Sequence, residues 1–415
     1  HCLPGDAWRR DGYRWRMNNL DPFQEIHDAR IMPVGWMQAD FDDSHWEAAG
    51  EVHRPMPVGR PDDEPGLGSR YQLNKSPLPP RRQTPLLPEA VTKIEENIAL
   101  DCRDRPSDLS IVLSMPGRPT QWTMVQDVDK LLTGEGATTL CCSTEHLRDR
   151  TFDGFYEPTV VLDFGRPMPA YVELDLEAPA GARISMGVAE RLIDGHFNNS
   201  LEGQYAFSYT TVEGRQTWRS FVWRGFRYLK LRLHQCFEPV TIHALRARTY
   251  EYPFENRGVF DSEDERLTRT FEISRNTIQL CCGDSMVDTP WREQAQWVGD
   301  VSAVTIGGVH ACFGDTLLPA KFLRQAAANV LPSGLLQMIT TGNVTEEGNI
   351  PDYSLWWAKA VWDHYLFAGD NSLLEALYPA AVRVIDAFGR HVNKDGLVQD
   401  MPGWVFIDWA FLDKQ

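Results

Sequence analysis

The chain has 415 residues, more than one ordinary domain buries around a single core, so two or three domains are expected. Its apolar and charged fractions are those of a soluble globular protein. A formal net charge of −17 argues against nucleic acid or an anionic membrane as partner, and no apolar run approaches the roughly 20 residues that span a bilayer.

The first 250 residues read as strands and turns. Residues 1 to 90 hold Pro/Gly-rich turns and an acidic-aromatic turn, Asp42-Asp43-Ser44-His45-Trp46-Glu47. In a β-sandwich such a turn caps a strand edge with Trp46 packed inward. Pro77 to Pro88 reads as an extended connector of polyproline character. From about 150 the alternation is clear. Val160 to Arg166 ends a strand in a turn, and Tyr171 to Leu176 alternates apolar with acidic residues, as a half-buried strand does. Arg183 to Ala189 alternates again. Phe221 to Leu231 is a further strand, in which Gly225 is expected to form a bulge.

Helices follow. Asp261 to Glu265 is an acidic start, and Leu267, Phe271, Ile273, Ile278 and Leu280 form an apolar stripe up to about Cys282. Further helices are expected over Val301 to Phe313, 315–329, Pro351 to Phe367 and Ser372 to Val392. A Gly/Thr/Asn-rich loop with Glu346 and Glu347 separates the second and third. Asn393 to Gly396 reads as a cap and turn.

Eight cysteines include two adjacent pairs, Cys141-Cys142 and Cys281-Cys282, with no metal-ligand spacing. Adjacent cysteines rarely bridge to each other. Reduced, buried thiols are expected, and with them a cytoplasmic setting. The chain starts at His1 rather than Met, so a removed leader and secretion stay open. No nucleotide-binding, nucleophile-elbow or His-Glu metal motif occurs, and neither a cofactor nor a metal is expected. Fourteen tryptophans is a high count. Flat indole faces stack on sugar C–H groups, and they also build aromatic cores.

The chemistry concentrates in Asp288-Thr-Pro-Trp-Arg-Glu-Gln-Ala-Gln-Trp-Val-Gly-Asp300. Thr289 suits an N-cap and Pro290 the first helical position. A helix starting there puts Glu293, Trp297 and Asp300 on one face. An acid, an aromatic plate and a second acid suit a sugar pocket. The plainer alternative is a capped helix with a solvated charged face and one core tryptophan.

The segment closely resembles the active-site motif of the bacterial α-L-rhamnosidases, glycoside hydrolase family 78. Matched positions are Asp288, Pro290, Arg292, Glu293, Trp297, Gly299 and Asp300. The turn Asp163-Phe164-Gly165-Arg166 and the strand Gly225-Phe226-Arg227-Tyr228 resemble that family's second β-sandwich, although Pro169-Ala170 stands where the family has Gly. The resemblance implies β-sandwich, jelly-roll-like domains followed by an (α/α)6 six-hairpin toroid. The expected divisions are 1–90 (β-rich), 91–252 (β-sandwich with connector) and 253–415 (the N-terminal half of the catalytic toroid). It implies an inverting hydrolase releasing terminal α-L-rhamnose from a rhamnose-containing glycoside. Another inverting six-hairpin glycosidase and a non-catalytic carbohydrate-binding protein are the alternatives.

Glu293 matches the family's general acid, and Trp291 and Trp297 are expected to wall it and raise its pKa. Arg292 is expected on another carboxylate or on a sugar hydroxyl rather than on Glu293. Asp288, Trp297 and Asp300 match sugar-contacting positions, and Arg292 is expected to bind substrate beside them. Asp352 with Trp356, and Asp408 with Trp409, are expected at the pocket as well. An inverting pair needs a base about 6.5–9.5 Å from the acid. The family's base is not matched here, and Glu346 and Glu347 sit in the wrong place for it. Residues 253–415 hold about half the helices of a toroid, so a further C-terminal segment or a second chain is expected to complete the barrel. A closed barrel from these residues would instead make Glu346, Glu347 or Asp408 the base.

Overall fold

The computed structural model describes residues 8–11, 24–33, 35–48, 75–99, 109–144, 154–200, 205–340 and 348–406. Glu346, Glu347, Asp408 and Trp409 lie outside them.

In chain order the strands are β1 Trp8–Asp11, β2 Gln24–Asp28, β3 Pro85–Leu86, β4 Ala90–Ile98, β5 Arg118–Pro119, β6 Met124–Gln126, β7 Thr138–Cys141, β8 Tyr156–Ala178, β9 Arg183–Ala189, β10 Leu192–Ile193, β11 His196–Phe197, β12 Ala206–Thr210, β13 Gly214–Arg219, β14 Arg224–His234 and β15 Val240–Thr249. All but β10 and β11 hydrogen-bond into one 13-stranded sheet. Its axis is β8. The first half of β8 lies between β4 and β14, the second between β15 and β13. The two expected strands, Val160 to Arg166 and Tyr171 to Leu176, are therefore one strand.

The Asp163–Arg166 turn is an outward loop in β8, opposite a register shift between Phe226 and Tyr228. Arg227 clamps it with both guanidinium donors on Asp163, at 2.8 Å each. Gly165 takes a left-handed φ of 77° at the corner. Alternation does the rest: Val160, Leu162, Val172, Leu174 and Leu176 pack with Ile184, Met186, Leu231, Ile242 and Leu245 in one core.

The sheet runs across the boundary expected at residue 90. β2 pairs in parallel with β12, and β4 begins at Ala90 and pairs with β8. The proline-rich connector is extended but not free. Pro85–Leu86 pairs with β15, Arg82 bridges Glu251, Arg81 donates to the Gly283 carbonyl (3.2 Å), and Leu78 is buried in the helical core. It straps the sheet to the helices.

Short helices α1 (Leu109–Ser114) and α2 (Lys130–Thr133) lie among the strands. The helical region holds α3 Glu265–Leu280, α4 Val298–Asp300, a π-turn Val301–Thr305 leading into α5 Ile306–Phe313, α6 Leu317–Ala327, α7 Pro351–Ala368 and α8 Asn371–Gly389. The caps follow residue chemistry. Asp264 and Asp370 accept the N–H groups of Arg266 and Leu373, Pro351 opens α7, and Gly369 closes it in the left-handed region. The apolar stripe expected on α3 is not buried. Leu267 and Ile273 are exposed, and only Phe271 and Ile278, two turns apart, pack on the core. α3 is an outer helix that touches its neighbours along a narrow seam.

α7 and α8 bury Trp357, Val361, Leu377 and Val384 between them and α6. Their outer faces expose Trp362, Leu366, Phe367, Tyr378 and Ile385. No described helix is long and apolar enough to cross a membrane. Cys141, Cys142, Cys236, Cys281, Cys282 and Cys312 are buried free thiols, and burial pushes Cys281 up to about 12.

The contact between α4 and α7 needs Gly299, where a Cβ would sit 2.3 Å from the Tyr353 ring. Gly299→Ala is expected to cost about 1–3 kcal/mol through that overpacking, read as a lowered calorimetric melting midpoint.

Candidate active site

The motif does not form the expected helix. Residues 290–293 make a single turn, Gln294 takes a left-handed φ of 51°, and the helix begins only at Val298 with Trp297 as its N-cap. Thr289 does cap, but only the turn: its Oγ1 accepts the Trp291 N–H at 3.3 Å. The loop is closed at its neck. Asp288 N–H donates to the Ala295 carbonyl, and Ala295 N–H donates to Asp288 Oδ1, both at 3.0 Å. Beyond the neck, Gln296 to Val298 pairs with Met338 to Thr340. Gln296 is buried, accepting from Met286 N–H at 3.0 Å.

Glu293 is at the centre and nearly buried. Arg292 Nη2 donates to its Oε1 and Trp297 Nε1 to its Oε2, each at 2.6 Å. Arg292 thus sits against Glu293, contrary to expectation. Off a helix, adjacent side chains can converge, and the nearly buried Glu293 carboxyl gains a charge-assisted hydrogen bond from the half-exposed Arg292 guanidinium. Asp288 hydrogen-bonds the same carboxyl from the other strand of the neck. Burial first, and then the Glu293 hydrogen bond and charge, push the Asp288 carboxyl up to about 8. The site thus keeps a proton on a carboxyl at neutral pH.

Trp297 is only 9% exposed and packs with Ala295, Met338, Ile339 and Ile350, its ring edge-on to Tyr353. It is a buried hydrogen-bond donor to the acid rather than an open plate. Trp291, expected as the other wall, stacks instead on Tyr205 of the sheet domain, with ring centroids 3.7 Å apart. Asp300 is exposed in the first turn of α4, where it adds a negative charge favoured by the helix dipole. Asp352 and Trp356 lie one turn apart on the exposed face of α7, and Trp356 is 42% exposed. The residue of α7 that meets the Trp297 cluster is Tyr353. Among the described residues, no group of three or more His, Cys, Asp or Glu could hold a metal ion.

Sequence reasoning missed the surface that seats the loop. Gly225 N–H donates to the Pro290 carbonyl at 2.8 Å, and a Cβ on Gly225 would lie 2.6 Å from that oxygen. Gly225 is a point of close backbone approach, and the bulge lies beyond it. Arg224, buried, donates to Gln294 Oε1 at 3.3 Å, and Gln294 Nε2 donates to the Pro290 (2.9 Å) and Trp223 (3.4 Å) carbonyls. A glycine beside an arginine in an aromatic strand was the only available signal.

The model of the bacterial alpha-L-rhamnosidase 6 hairpin glycosidase domain matches residues 255–415, and that of the bacterial alpha-L-rhamnosidase concanavalin-like domain matches residues 155–247. The chain belongs to the bacterial α-L-rhamnosidases, glycoside hydrolase family 78.

An alpha-L-rhamnosidase of Formosa agariphila is 21% identical over 273 residues, covering 60% of this chain and 28% of that protein. The family 78 rhamnosidase of Bacillus sp. GL1 aligns at 27% identity and a TM-score of 0.59, covering 73% of this chain and 29% of that one. A Klebsiella oxytoca rhamnosidase solved with rhamnose bound aligns at 17% identity and a TM-score of 0.59, covering 80% of this chain and 61% of that one. The chain spans under a third of the length of the curated relatives it matches.

Because Trp297 is packed, Trp297→Ala is expected to cost about 3–5 kcal/mol of stability, seen in thermal melts. Trp297→Phe keeps most of the packing and removes the N–H on Glu293. It is expected to melt near wild type while losing turnover.

Proposed function

We propose that the chain carries the acid side of an inverting α-L-rhamnosidase, with Glu293 as the general acid acting on the glycosidic oxygen of a terminal α-L-rhamnoside. The observation that carries this is the buried Glu293 carboxyl, held on three sides by Arg292, Trp297 and the Asp288 carboxyl, which burial and Glu293 push up to about 8. A leaving alkoxide needs a proton, and two carboxyls in hydrogen-bond contact resist joint ionisation. The pair therefore keeps one proton in reach of the substrate. Glu293 gives it to the leaving oxygen as the bond to the anomeric carbon breaks. Water attacks that carbon from the opposite face, losing its proton to a base.

The base is not assigned. Asp288, Arg292 and Asp300 are proposed to bind the ring hydroxyls. Asp352 and Trp356, and Asp408 and Trp409, are proposed at the pocket rim. A relative solved with rhamnose bound supports the sugar, and the family supports the reaction.

Glu293→Gln in the full-length protein keeps the shape and removes the transferable proton. Turnover on an alkyl or sugar-linked rhamnoside is expected to fall about a hundredfold or more, and less on a nitrophenyl rhamnoside, whose leaving group needs little protonation. Equal turnover of wild type and variant on the alkyl rhamnoside would overturn the assignment.

The pH dependence follows from Asp288. A carboxyl raised to about 8 is protonated below that pH and loses its proton as pH rises through it. A kcat/KM profile should fall off near pH 8 on the basic side. Asp288→Asn should remove or move that limb.

A further inference from the structure

We infer that Gln294, gripped by Arg224 of the sheet domain, is a positioning residue that aims the acid. This rests on the reading of Glu293 as that acid. The amide of Gln294 is used at both ends. Its oxygen accepts from the buried Arg224 guanidinium (3.3 Å), and its nitrogen donates to the carbonyls of Pro290 (2.9 Å) and Trp223 (3.4 Å).

Those contacts tie the two ends of the turn that carries Glu293 to each other and to β14. Gln294 holds a left-handed φ of 51°, a conformation uncommon for any residue but glycine. The same turn is seated by Gly225 N–H on the Pro290 carbonyl and by Trp291 on the Tyr205 ring.

Arg224 is itself fixed. It is buried, and Glu25 of β2 lies within reach of its charge, with an oxygen taking the Phe221 N–H at 2.6 Å. The hydrogen-bond donors to the Glu293 carboxyl are Arg292 and Trp297, not Gln294 or Arg224. The effect of Gln294 and Arg224 passes through the turn to the direction of the Glu293 carboxyl.

An amide is the side chain that fits. A carboxylate at 294 would meet two carbonyl oxygens, and a shorter amide would not span from β14 to Pro290. The arrangement makes the sheet domain part of the catalytic apparatus by position rather than by contact with substrate.

The test uses the full-length protein with three variants. Gln294→Gly favours the observed φ and removes the side chain, so it separates the latch from backbone preference. Gln294→Glu keeps the volume and reverses the donor. Arg224→Lys keeps a charge in place of the guanidinium.

For Gln294→Gly and Gln294→Glu, kcat on an alkyl rhamnoside should fall about 10–100-fold with KM within about twofold, since a displacement near 1 Å costs that much in aligned chemistry. The loss should shrink on a nitrophenyl rhamnoside. Arg224→Lys should fall between these variants and wild type. Hydrogen exchange of the peptide spanning 288–297 should speed up while that of α7 stays unchanged.

Wild-type kcat in Gln294→Gly, or an equal loss on both substrates, would overturn the inference, as would unchanged exchange. If wild type itself does not cleave rhamnosides but exchange at 288–297 still rises in the variants, the proposed reaction fails and the latch stands.

Discussion

The contact on which the site depends is a backbone one. The Gly225 N–H meets the Pro290 carbonyl at 2.8 Å, and only a residue without a side chain leaves room for it. Through this contact an inner strand of the sheet domain becomes the bench on which the loop carrying Glu293 lies. The Trp291–Tyr205 stack and the Gln294 bridge flank it. The proline-rich strap adds a second tie, with Leu78 in the helical core and Pro85–Leu86 in the sheet. Two domains joined at two places hold a defined relation.

The charges are arranged with the same economy. Buried charges are costly unless paired, and the structure pairs them in short chains. In the sheet, Arg232 meets Glu157 at 2.6 Å, and His234 closes on the same carboxylate at 3.0 Å. In the loop, Arg292 meets Glu293, and burial beside Glu293 pushes the Asp288 carboxyl up to about 8. The neutral Gln294 lies between the buried Arg224 and the loop. It transmits position without adding a charge that would disturb the Asp288–Glu293 pair.

Much of this was legible in the sequence, and the misses have physical causes. Strand alternation from 156 to 249 reads directly, because each inward residue reaches the same core. That Asp288, Glu293 and Trp297 come together was legible as residue types in a fixed order. The helix expected from Thr289 was not real, because capping residues report a local preference. Gln294 at positive φ, fixed from β14, overrides it. The bulge assigned to Gly225 failed for a related reason: glycine marks a need for space but does not say what fills it. The stripe on α3 misled because periodicity shows which face is apolar, not how much of it finds a partner.

That the acid sits on a loop rather than a helix has a geometric reason. On a helix, successive side chains diverge by about 100°, so neighbours cannot meet on one carboxyl. A helix through this segment would have put Glu293, Trp297 and Asp300 on one face and sent Arg292 away from it. The observed turn, kinked at Gln294 and closed between Asp288 and Ala295, brings Asp288, Arg292 and Trp297 to bear on Glu293 together. The helix then starts at Val298, directly after the last residue that the constellation needs. A loop has no repeating hydrogen bonds to hold it, so such a site must be stabilised from outside. This is the physical reason for the sheet domain to lie against it.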